Sequence, residues 1–311
     1  MEHEKKELLK MCESITVLSL FDGMSCGQIA LERAGIKVKQ YFASEIKKHA
    51  IETTQINYPN TIQLGDVTKI KGSDLPKIDL LIGGSPCQDF SQANIERKGL
   101  KGLKSNLFFE YLRLMQECEP KYYLLENVIM LPEHYAILCN YMKTYPFETC
   151  GSLVSAALRR RLFWTNIGPS YYDLFGFRHC NLPQPKDLNI TLQSILTYGF
   201  TDKLKANCLI LDNCSSITNI KRIKKRHGNL PLGTIIFPDK TFNLDSEIRF
   251  LNQTELERCH NIPEGYTKNL NQTKAHDLIG DGWTVNIVSY IFSFLKGEKI
   301  FNNSFLTENL I

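Results

Sequence analysis

The sequence lacks the features that would mark an exported, membrane-spanning or zinc-binding protein. Residues 1–10 have no apolar core of the kind found in a secretory signal, and no later stretch reaches the roughly 18 uninterrupted apolar residues of a membrane span. The ten cysteines include no CxxC pair, which argues against a structural zinc site and favours free thiols. We therefore expect an intracellular protein with no metal and no membrane partner.

A strong excess of charge of one sign is absent as well. The chain has 37 Lys plus Arg and 33 Asp plus Glu, a formal net charge of +4, so its total charge indicates no particular partner. Apolar residues make up 43% and charged residues 23% of the chain, which is typical of a globular protein and excludes general disorder. The length of 311 residues predicts one large domain with a smaller insert, or two domains.

Apolar strand-like runs alternate with helical patterns in the first half of the chain. Strands are predicted at residues 15–21, 38–45, 78–82 and 122–125, and helices at residues 28–34 and 105–118. This alternation predicts an α/β fold built on a doubly wound, mostly parallel sheet that is covered on both faces.

Beyond Gly168 the alternation is lost until about Ser246. Residues 169–246 are therefore predicted to form a smaller, irregular domain. Residues 11–168 and 247–300 are predicted to form the main domain together.

A glycine-containing turn follows the first predicted strand. The segment FDGMSCG, residues 21–27, allows the backbone to turn tightly and approach a ligand at the amino end of a helix. Glu45, after the next strand, could accept from ribose hydroxyls, and Asp66, at the end of a third strand, from an adenine amino group. These features predict a nucleoside ligand, which a nicotinamide dehydrogenase would share, and an ordinary strand–helix turn stays an alternative.

Two further motifs place reactive side chains at strand ends. GGSPCQ, residues 83–88, presents Cys87 on a tight turn near backbone N–H groups, which favours a nucleophilic thiolate. In LLENV, residues 124–128, a partly desolvated Glu126 could hold a proton and deliver it to a substrate. Taken singly, each motif also fits a plainer interpretation, a buried cysteine or a solvated carboxylate.

Four motifs in this order and spacing resemble those of the cytosine-C5 DNA methyltransferases. They are FDGMSCG, GGSPCQDFS, LLENV and VSAALRRRLFW, the last at residues 154–164. The motifs are most similar to those of the animal de novo DNA methyltransferases, through RKGL (97–100), LFFE (107–110) and GDGW (280–283). The resemblance covers nearly the whole chain except residues 169–245, and it implies a Rossmann-like methyltransferase fold with a target recognition domain in the uncovered part.

The resemblance implies roles for four residues. Cys87 would add to C6 of cytosine and thereby make C5 able to accept a methyl group. Glu126 would donate to ring N3, while Arg161 and Arg159 would hold the base and the neighbouring phosphate. The implied activity is methylation of cytosine at C5 in duplex DNA.

The resemblance also implies S-adenosyl-L-methionine as the cofactor, with S-adenosyl-L-homocysteine as its product. The residues expected to bind it are Phe21, Asp22, Gly23, Met24, Ser25, Cys26, Glu45, Ile46, Asp66, Val67, Pro86, Asp281, Gly282 and Trp283. Among them, Glu45 would hold the ribose, and Asp66 and Val67 would lie at the adenine.

Duplex DNA is the implied partner. A side chain and a methyl donor cannot both reach a cytosine that is stacked in a duplex, so the base must be flipped out, and residues 88–104 are predicted to close behind it. Residues 200–240 contain eight Lys or Arg and three Asp, a local excess suited to phosphate contacts. The residues predicted to contact DNA are Gln88, Ser91, Arg97, Lys98, Lys221, Arg222, Lys224, Lys225 and Arg226.

Two other functions stay open. The tRNA-methylating branch of the family shares the catalytic motifs, although its Cys-Phe-Thr signature is not found in this sequence. A catalytically silent DNA-binding relative is disfavoured by the intact Pro86-Cys87 and Glu126-Asn127 pairs. We expect a monomer, with an oligomer left open, in the cytoplasm or nucleoid of a prokaryote or phage-infected host rather than in a nucleus.

Overall fold

The computed structural model describes residues 14–85, 106–209 and 234–296. Its strands are β1 (Ile15–Leu20), β2 (Val38–Ser44), β3 (Ile62–Gln63), β4 (Leu80–Gly84), β5 (Tyr122–Val128), β6 (Thr144–Tyr145), β7 (Phe147–Cys150), β8 (Arg160–Thr165), β9 (Ser170–Tyr172) and β10 (Arg178–Cys180). Its helices are α1 (Cys26–Arg33), α2 (Lys48–Asn57), α3 (Asn106–Cys118), α4 (Pro132–Met142), α5 (Leu192–Ile195), α6 (Gln253–Cys259), α7 (Gln272–Asp281) and α8 (Val285–Ser293).

A seven-stranded sheet forms the centre of the protein, with the strand order β3-β2-β1-β4-β5-β8-β7. The first five strands in this order are parallel, and β8 runs antiparallel between β5 and β7. The order reverses between β1 and β4, and open α/β sheets bind ligands at such a reversal. The predicted α/β fold with a mostly parallel sheet is confirmed.

Both faces of the sheet are covered, because successive residues of β1 point to opposite sides. Val17 packs in one core with side chains of α1, α7 and α8. Leu18 and Leu20 pack in a second core with side chains of α3 and α4. The last helices of the chain therefore pack back against its first half.

All four predicted strands differ from the structure at one or both ends, and β2 and β5 end at Ser44 and Val128 rather than at residues 45 and 125. β1 ends one residue early because Phe21 has a φ of 57°, a left-handed conformation that ends a strand. β4 extends through Gly83 and Gly84, which pair with β5, instead of covering residues 78–82. Glycine carries no side chain and so adds nothing to the hydrophobic pattern from which the strand was predicted.

One helical run in the described residues, Gln272–Lys296, is long and apolar enough by composition to cross a membrane. It consists of α7, α8 and a following turn, and 61% of its most apolar window is buried inside the protein. The core helices of globular proteins pass the same test, so the packing of this run accounts for its apolar character.

The segment predicted to form a recognition domain contains short elements where the structure describes it. β9 and β10 join β6 in a three-stranded sheet. Leu192 and Ala206 belong to the same core as α7 and α8, while Ile235 and Phe237 form a small cluster of their own. The boundaries at residues 169 and 246 stay a prediction.

Candidate active site

The carboxyl ends of β1, β4 and β5 meet at one edge of the sheet, together with the start of the antiparallel strand β8. This edge is termed the site edge below. The pairing register brings the motif residues together there, since Gly84 lies opposite Glu126 and Val128 lies opposite Arg161. β5 ends at this edge and the antiparallel β8 begins there. Their pairing places the carboxylate of Glu126 beside the guanidinium of Arg161.

Glu126 and Arg161 form an ion pair at the site edge. Nε of Arg161 lies 2.8 Å from Oε1 of Glu126, and only 14% and 10% of the two side chains are exposed. The pair lines a small pocket together with Thr149, Phe163 and Trp283. A charged pair at the wall of a largely buried pocket is suited to a polar ligand.

Arg159, the residue directly before β8, lines the same pocket. Its Nη1 donates to the carbonyl oxygen of Gly280 at 2.9 Å, and only 5% of the residue is exposed. Arg160 points to the surface and pairs there with Glu148. Alternation along an extended strand therefore turns Arg159 and Arg161 inward together.

Asn127 fixes the start of the chain segment that leads to Cys87. Its Nδ2 donates to Oγ of Ser85 at 3.0 Å, and only 1% of Asn127 is exposed. Ser85 is the last described residue before Pro86 and Cys87. The strand that carries Glu126 therefore also anchors the approach to the predicted nucleophile.

Several predicted site residues lie outside the described residues. They are Pro86, Cys87, Gln88, Ser91, Arg97, Lys98, Lys221, Arg222, Lys224, Lys225 and Arg226. Their roles stay predictions from the sequence.

The turn after β1 is built around the carboxylate of Asp22. Phe21, Gly23 and Ser25 have left-handed φ values of 57°, 59° and 61°. The Tyr41 hydroxyl donates to Oδ1 of Asp22 at 2.7 Å, and the Ser25 hydroxyl donates to Oδ2. Burial raises the pKa of Asp22 from its ordinary 3.8 to about 6, against the effect of these hydrogen bonds. A Cβ at Gly23 would meet nothing within 4 Å, so the turn faces open space.

Glu45, directly after β2, ties this turn to the next strand. Its carboxylate accepts from the backbone N–H groups of Gly23 at 2.8 Å, Ile46 at 2.8 Å and Lys47 at 2.9 Å. Ile46 is 73% exposed. A fixed carboxylate beside an exposed apolar side chain suits a ligand with a polar sugar and a planar apolar face.

Asp66 and Val67 lie beside the end of β2, where the Ser44 hydroxyl donates to the Gly65 carbonyl oxygen at 2.7 Å. The prediction that Asp66 ends a strand is wrong, because β3 is only two residues long. Asp66 instead accepts from the backbone N–H and the hydroxyl of Thr68 and caps a 3-10 turn. These hydrogen bonds lower the pKa of the Asp66 carboxyl.

The far end of the described chain reaches the same site. A Cβ at Gly84 would lie 3.0 Å from Nε1 of Trp283 and 3.0 Å from Oε2 of Glu126, so the indole packs closely against the end of β4. A Cβ at Gly282 would lie 3.1 Å from Sγ of Cys26. The described residues contain no group of three or more His, Cys, Asp or Glu side chains that could hold a metal ion.

Asp281 reaches across to the segment after β2. Its Oδ2 lies 2.7 Å from Nζ of Lys47, which also lies 3.4 Å from Oδ2 of Asp277. The Asp281 side chain is 65% exposed. This ion pair links the carboxyl end of α7 to the segment that carries Glu45.

Sequence analysis missed three residues of this site. Asn127 was indicated only by its place beside Glu126 in the LLENV motif. Tyr41 follows the pattern of a buried strand and therefore resembles an ordinary core residue. Lys47 carries no local signal at all, since its partners lie more than 200 positions away in the sequence.

Comparison with known proteins places these motifs in a family. Residues 15–158 match the family model of the C-5 cytosine-specific DNA methylases. The chain is 40% identical over 122 residues to the orphan methyltransferase M.Rho11sI of Bacillus phage rho11s, covering 39% of this chain and 24% of that protein. It is 31% identical over 195 residues to the type II methyltransferase M.NgoPII of Neisseria gonorrhoeae, covering 58% of this chain and 55% of that protein. The chain thus matches a quarter to about half of the length of these relatives.

The fold is shared more widely than the sequence. The structure is similar to that of the S. pombe Dnmt2 methyltransferase, with a TM-score of 0.64 and 18% identity, over 90% of this chain and 98% of that chain. A particular closeness to the animal de novo enzymes stays a prediction from the motifs. The match of residues 15–158 to this family model confirms the family resemblance inferred from the sequence.

Proposed function

We propose that this protein is a DNA (cytosine-5-)-methyltransferase that modifies a cytosine within a short duplex DNA sequence. One observation carries the proposal, the buried ion pair between Glu126 and Arg161. It lies at the sheet edge where the chain passes from Ser85 toward Cys87, close to the turn after β1. A carboxyl group, a base-binding guanidinium and the approach to a thiol are thereby combined at one place.

The residues present fit S-adenosyl-L-methionine, which supplies an electrophilic methyl group when bound. Open space beside Gly23 leaves room for a ligand against the turn after β1. Glu45 can accept from ribose hydroxyls, and the exposed Ile46 can cover one face of the adenine. We assign Phe21 to Cys26, Asp66, Val67, Pro86, Asp281, Gly282 and Trp283 to the same site.

The protein's own residues perform the remaining chemistry. The Cys87 thiolate adds to C6 of cytosine, while Glu126 donates a proton to N3 and so neutralises the charge that the addition creates. Arg161 and Arg159 orient the base through their guanidinium groups. Once C5 carries the methyl group, the C5 proton is lost to a base, Cys87 is eliminated and the N3 proton returns to Glu126, which releases the methylated base.

The cytosine is flipped out of the duplex before it reacts. Residues 169–246 form the recognition domain, and the basic side chains around residues 221–226 contact phosphate groups. The phage and bacterial relatives support a modification enzyme that acts on intracellular DNA, and we expect it to act as a monomer.

Labelled S-adenosylmethionine, offered with duplex DNA or with tRNA, tests this function. We expect label in duplex DNA and, by base-resolution sequencing, 5-methylcytosine at one short sequence. Label in tRNA alone would exclude the proposed function, and label in neither would favour a catalytically silent relative.

A further inference from the structure

The loop between β7 and β8, residues 151–158, leads to both site arginines and is termed the arginine loop. Its backbone is held mainly by donors from other parts of the chain. The carbonyl oxygens at positions 153, 154 and 156 accept from Leu188, Asn261 and Ala206, at 2.8, 3.1 and 2.7 Å. The position of this loop is therefore set from outside.

The carbonyl oxygens of Ser152 and Ser155 share one donor, the ammonium group of Lys205. Nζ of Lys205 lies 2.7 Å from the carbonyl oxygen of Ser152, 2.9 Å from that of Ser155 and 2.6 Å from that of Ile190. An ammonium group has three N–H donors, so all of them are used here. Burial lowers the pKa of Lys205.

Lys205 and its neighbour form a clamp on the arginine loop. Ala206 accepts from the N–H of Leu158 at 2.8 Å and donates to the carbonyl oxygen of Ala156 at 2.7 Å. The clamp lies in the segment proposed to recognise DNA, while the loop runs directly into Arg159. Gly151 closes the loop by donating to the carbonyl oxygen of Arg159 at 2.9 Å.

We infer that Lys205 is a positioning residue, which couples the recognition segment to the arginines of the active site. This inference rests on the proposed function. The hydrogen bonds of Lys205 all go to backbone carbonyl oxygens, so it acts by fixing the arginine loop. A shift of that loop moves Arg159 and Arg161 relative to Glu126. Misplacement of a positioned group by about 1 Å typically slows the chemical step on the order of 100-fold.

Two variants and one control separate this role from a general effect of charge. Lys205→Met keeps the length of the apolar stem and removes the ammonium group, and Lys205→Ala removes the stem as well. Lys203→Met removes the same charge two residues earlier, from a side chain that makes no hydrogen bond or ion pair within the described residues. A loss of DNA attraction alone would affect Lys203→Met and Lys205→Met equally.

Amide hydrogen exchange tests the clamp without reference to activity. The N–H of Gly151 donates to the carbonyl oxygen of Arg159, and the N–H of Leu158 donates to that of Ala206. In Lys205→Met we expect both to exchange about 10-fold faster or more, because local opening becomes easier, while Lys203→Met leaves them unchanged. Unchanged exchange in a folded Lys205→Met protein would overturn the inference.

Single-turnover methyl transfer with saturating DNA and cofactor tests the coupling to catalysis. We expect Lys205→Met to react roughly 100-fold more slowly, while its affinities for duplex DNA and S-adenosylmethionine change by less than about 3-fold. Propylammonium should partly restore the rate of Lys205→Ala, since it replaces the missing carbons and ammonium group. Tetramethylammonium at equal ionic strength should not.

Each outcome decides between a positioning role and its alternatives. A wild-type rate in Lys205→Met, or losses of cofactor and DNA affinity that account for the whole rate decrease, would overturn the inference. If the wild-type protein transfers no methyl group to DNA, the proposed function fails. Hydrogen exchange then still decides whether Lys205 fixes the arginine loop.

Discussion

The side chain of Asn127 donates to the hydroxyl oxygen of Ser85 at 3.0 Å, and this hydrogen bond joins β5 to the chain two residues before Cys87. The other end of the amide accepts from the N–H of Val128 at 2.8 Å, which fixes its orientation. The approach to the proposed nucleophile is thus tied to the strand that carries the proposed acid.

Replacing Asn127 with Leu removes the donor that faces Ser85 while nearly keeping the size of the side chain. We expect kcat to fall roughly 10- to 100-fold, because the thiol loses its fixed position relative to Glu126. Binding of S-adenosylmethionine, measured by calorimetry, should be unchanged. Ser85→Ala removes the same hydrogen bond from its other side, so the double variant should lose no more than either single variant. Fully additive losses would contradict the proposed link.

Glu126→Gln keeps the size of the side chain but removes the proton that Glu126 would deliver to N3. We expect a loss of about 100- to 10,000-fold in the single-turnover rate, the range typical of a general acid. Glu148→Gln provides a control, since it makes the same change at the surface partner of Arg160. It should alter the rate by less than about 2-fold, because exposed ion pairs contribute little. Equal rates for the two variants would exclude Glu126 as the acid.

The raised pKa of Asp22 predicts a pH dependence of stability. Its carboxyl has a pKa of about 6 in the folded protein against an ordinary 3.8, so the folded state binds the proton more tightly than the unfolded chain. This stabilising contribution is complete below about pH 4 and is lost as the pH rises through 6.

Asp22→Asn should remove that dependence. We expect the stability of the variant relative to the wild type to rise by about 2 kcal/mol between pH 4 and pH 7, as judged by urea unfolding at each pH. The quantity compared is the change in the free energy of unfolding between the two pH values. Its absolute value is not compared, because the new amide also alters the hydrogen bonds to Ser25 and Tyr41. Parallel curves for the two proteins would contradict the raised pKa.

Variants of Asp281 and Lys47 distinguish direct binding of the cofactor by Asp281 from an indirect effect of the ion pair between the two residues. As a proposed cofactor ligand, Asp281 should lose a charge-assisted hydrogen bond in Asp281→Asn, which weakens S-adenosylmethionine binding by about 10-fold or more. Lys47→Met breaks the same exposed ion pair from the other side and should weaken binding by less than about 3-fold. Equal effects in titration calorimetry would show that Asp281 acts only through Lys47.

The sequence predicts the parts of the fold that depend on local patterns. β1, β2 and β5 were recognised because their apolar runs are buried on both faces of a parallel sheet. Glu126 and Arg161 were found through their motifs. No sequence pattern indicates that the antiparallel strand β8 places Nε of Arg161 2.8 Å from Oε1 of Glu126. The clamp of Lys205 on the arginine loop was not predicted, because its acceptors are backbone carbonyl oxygens, which leave no signature in the sequence.

Covalent trapping tests the central claim most directly. A library of duplex DNA in which every cytosine is replaced by 5-fluorocytosine prevents loss of the C5 substituent, so the adduct cannot be resolved once the methyl group has been transferred. Incubation with S-adenosylmethionine should give a denaturation-resistant complex, and mass spectrometry of its peptides should find the methylated base on Cys87. Attachment at any other residue, or methylation of ordinary duplex DNA without a trapped complex, would contradict the account.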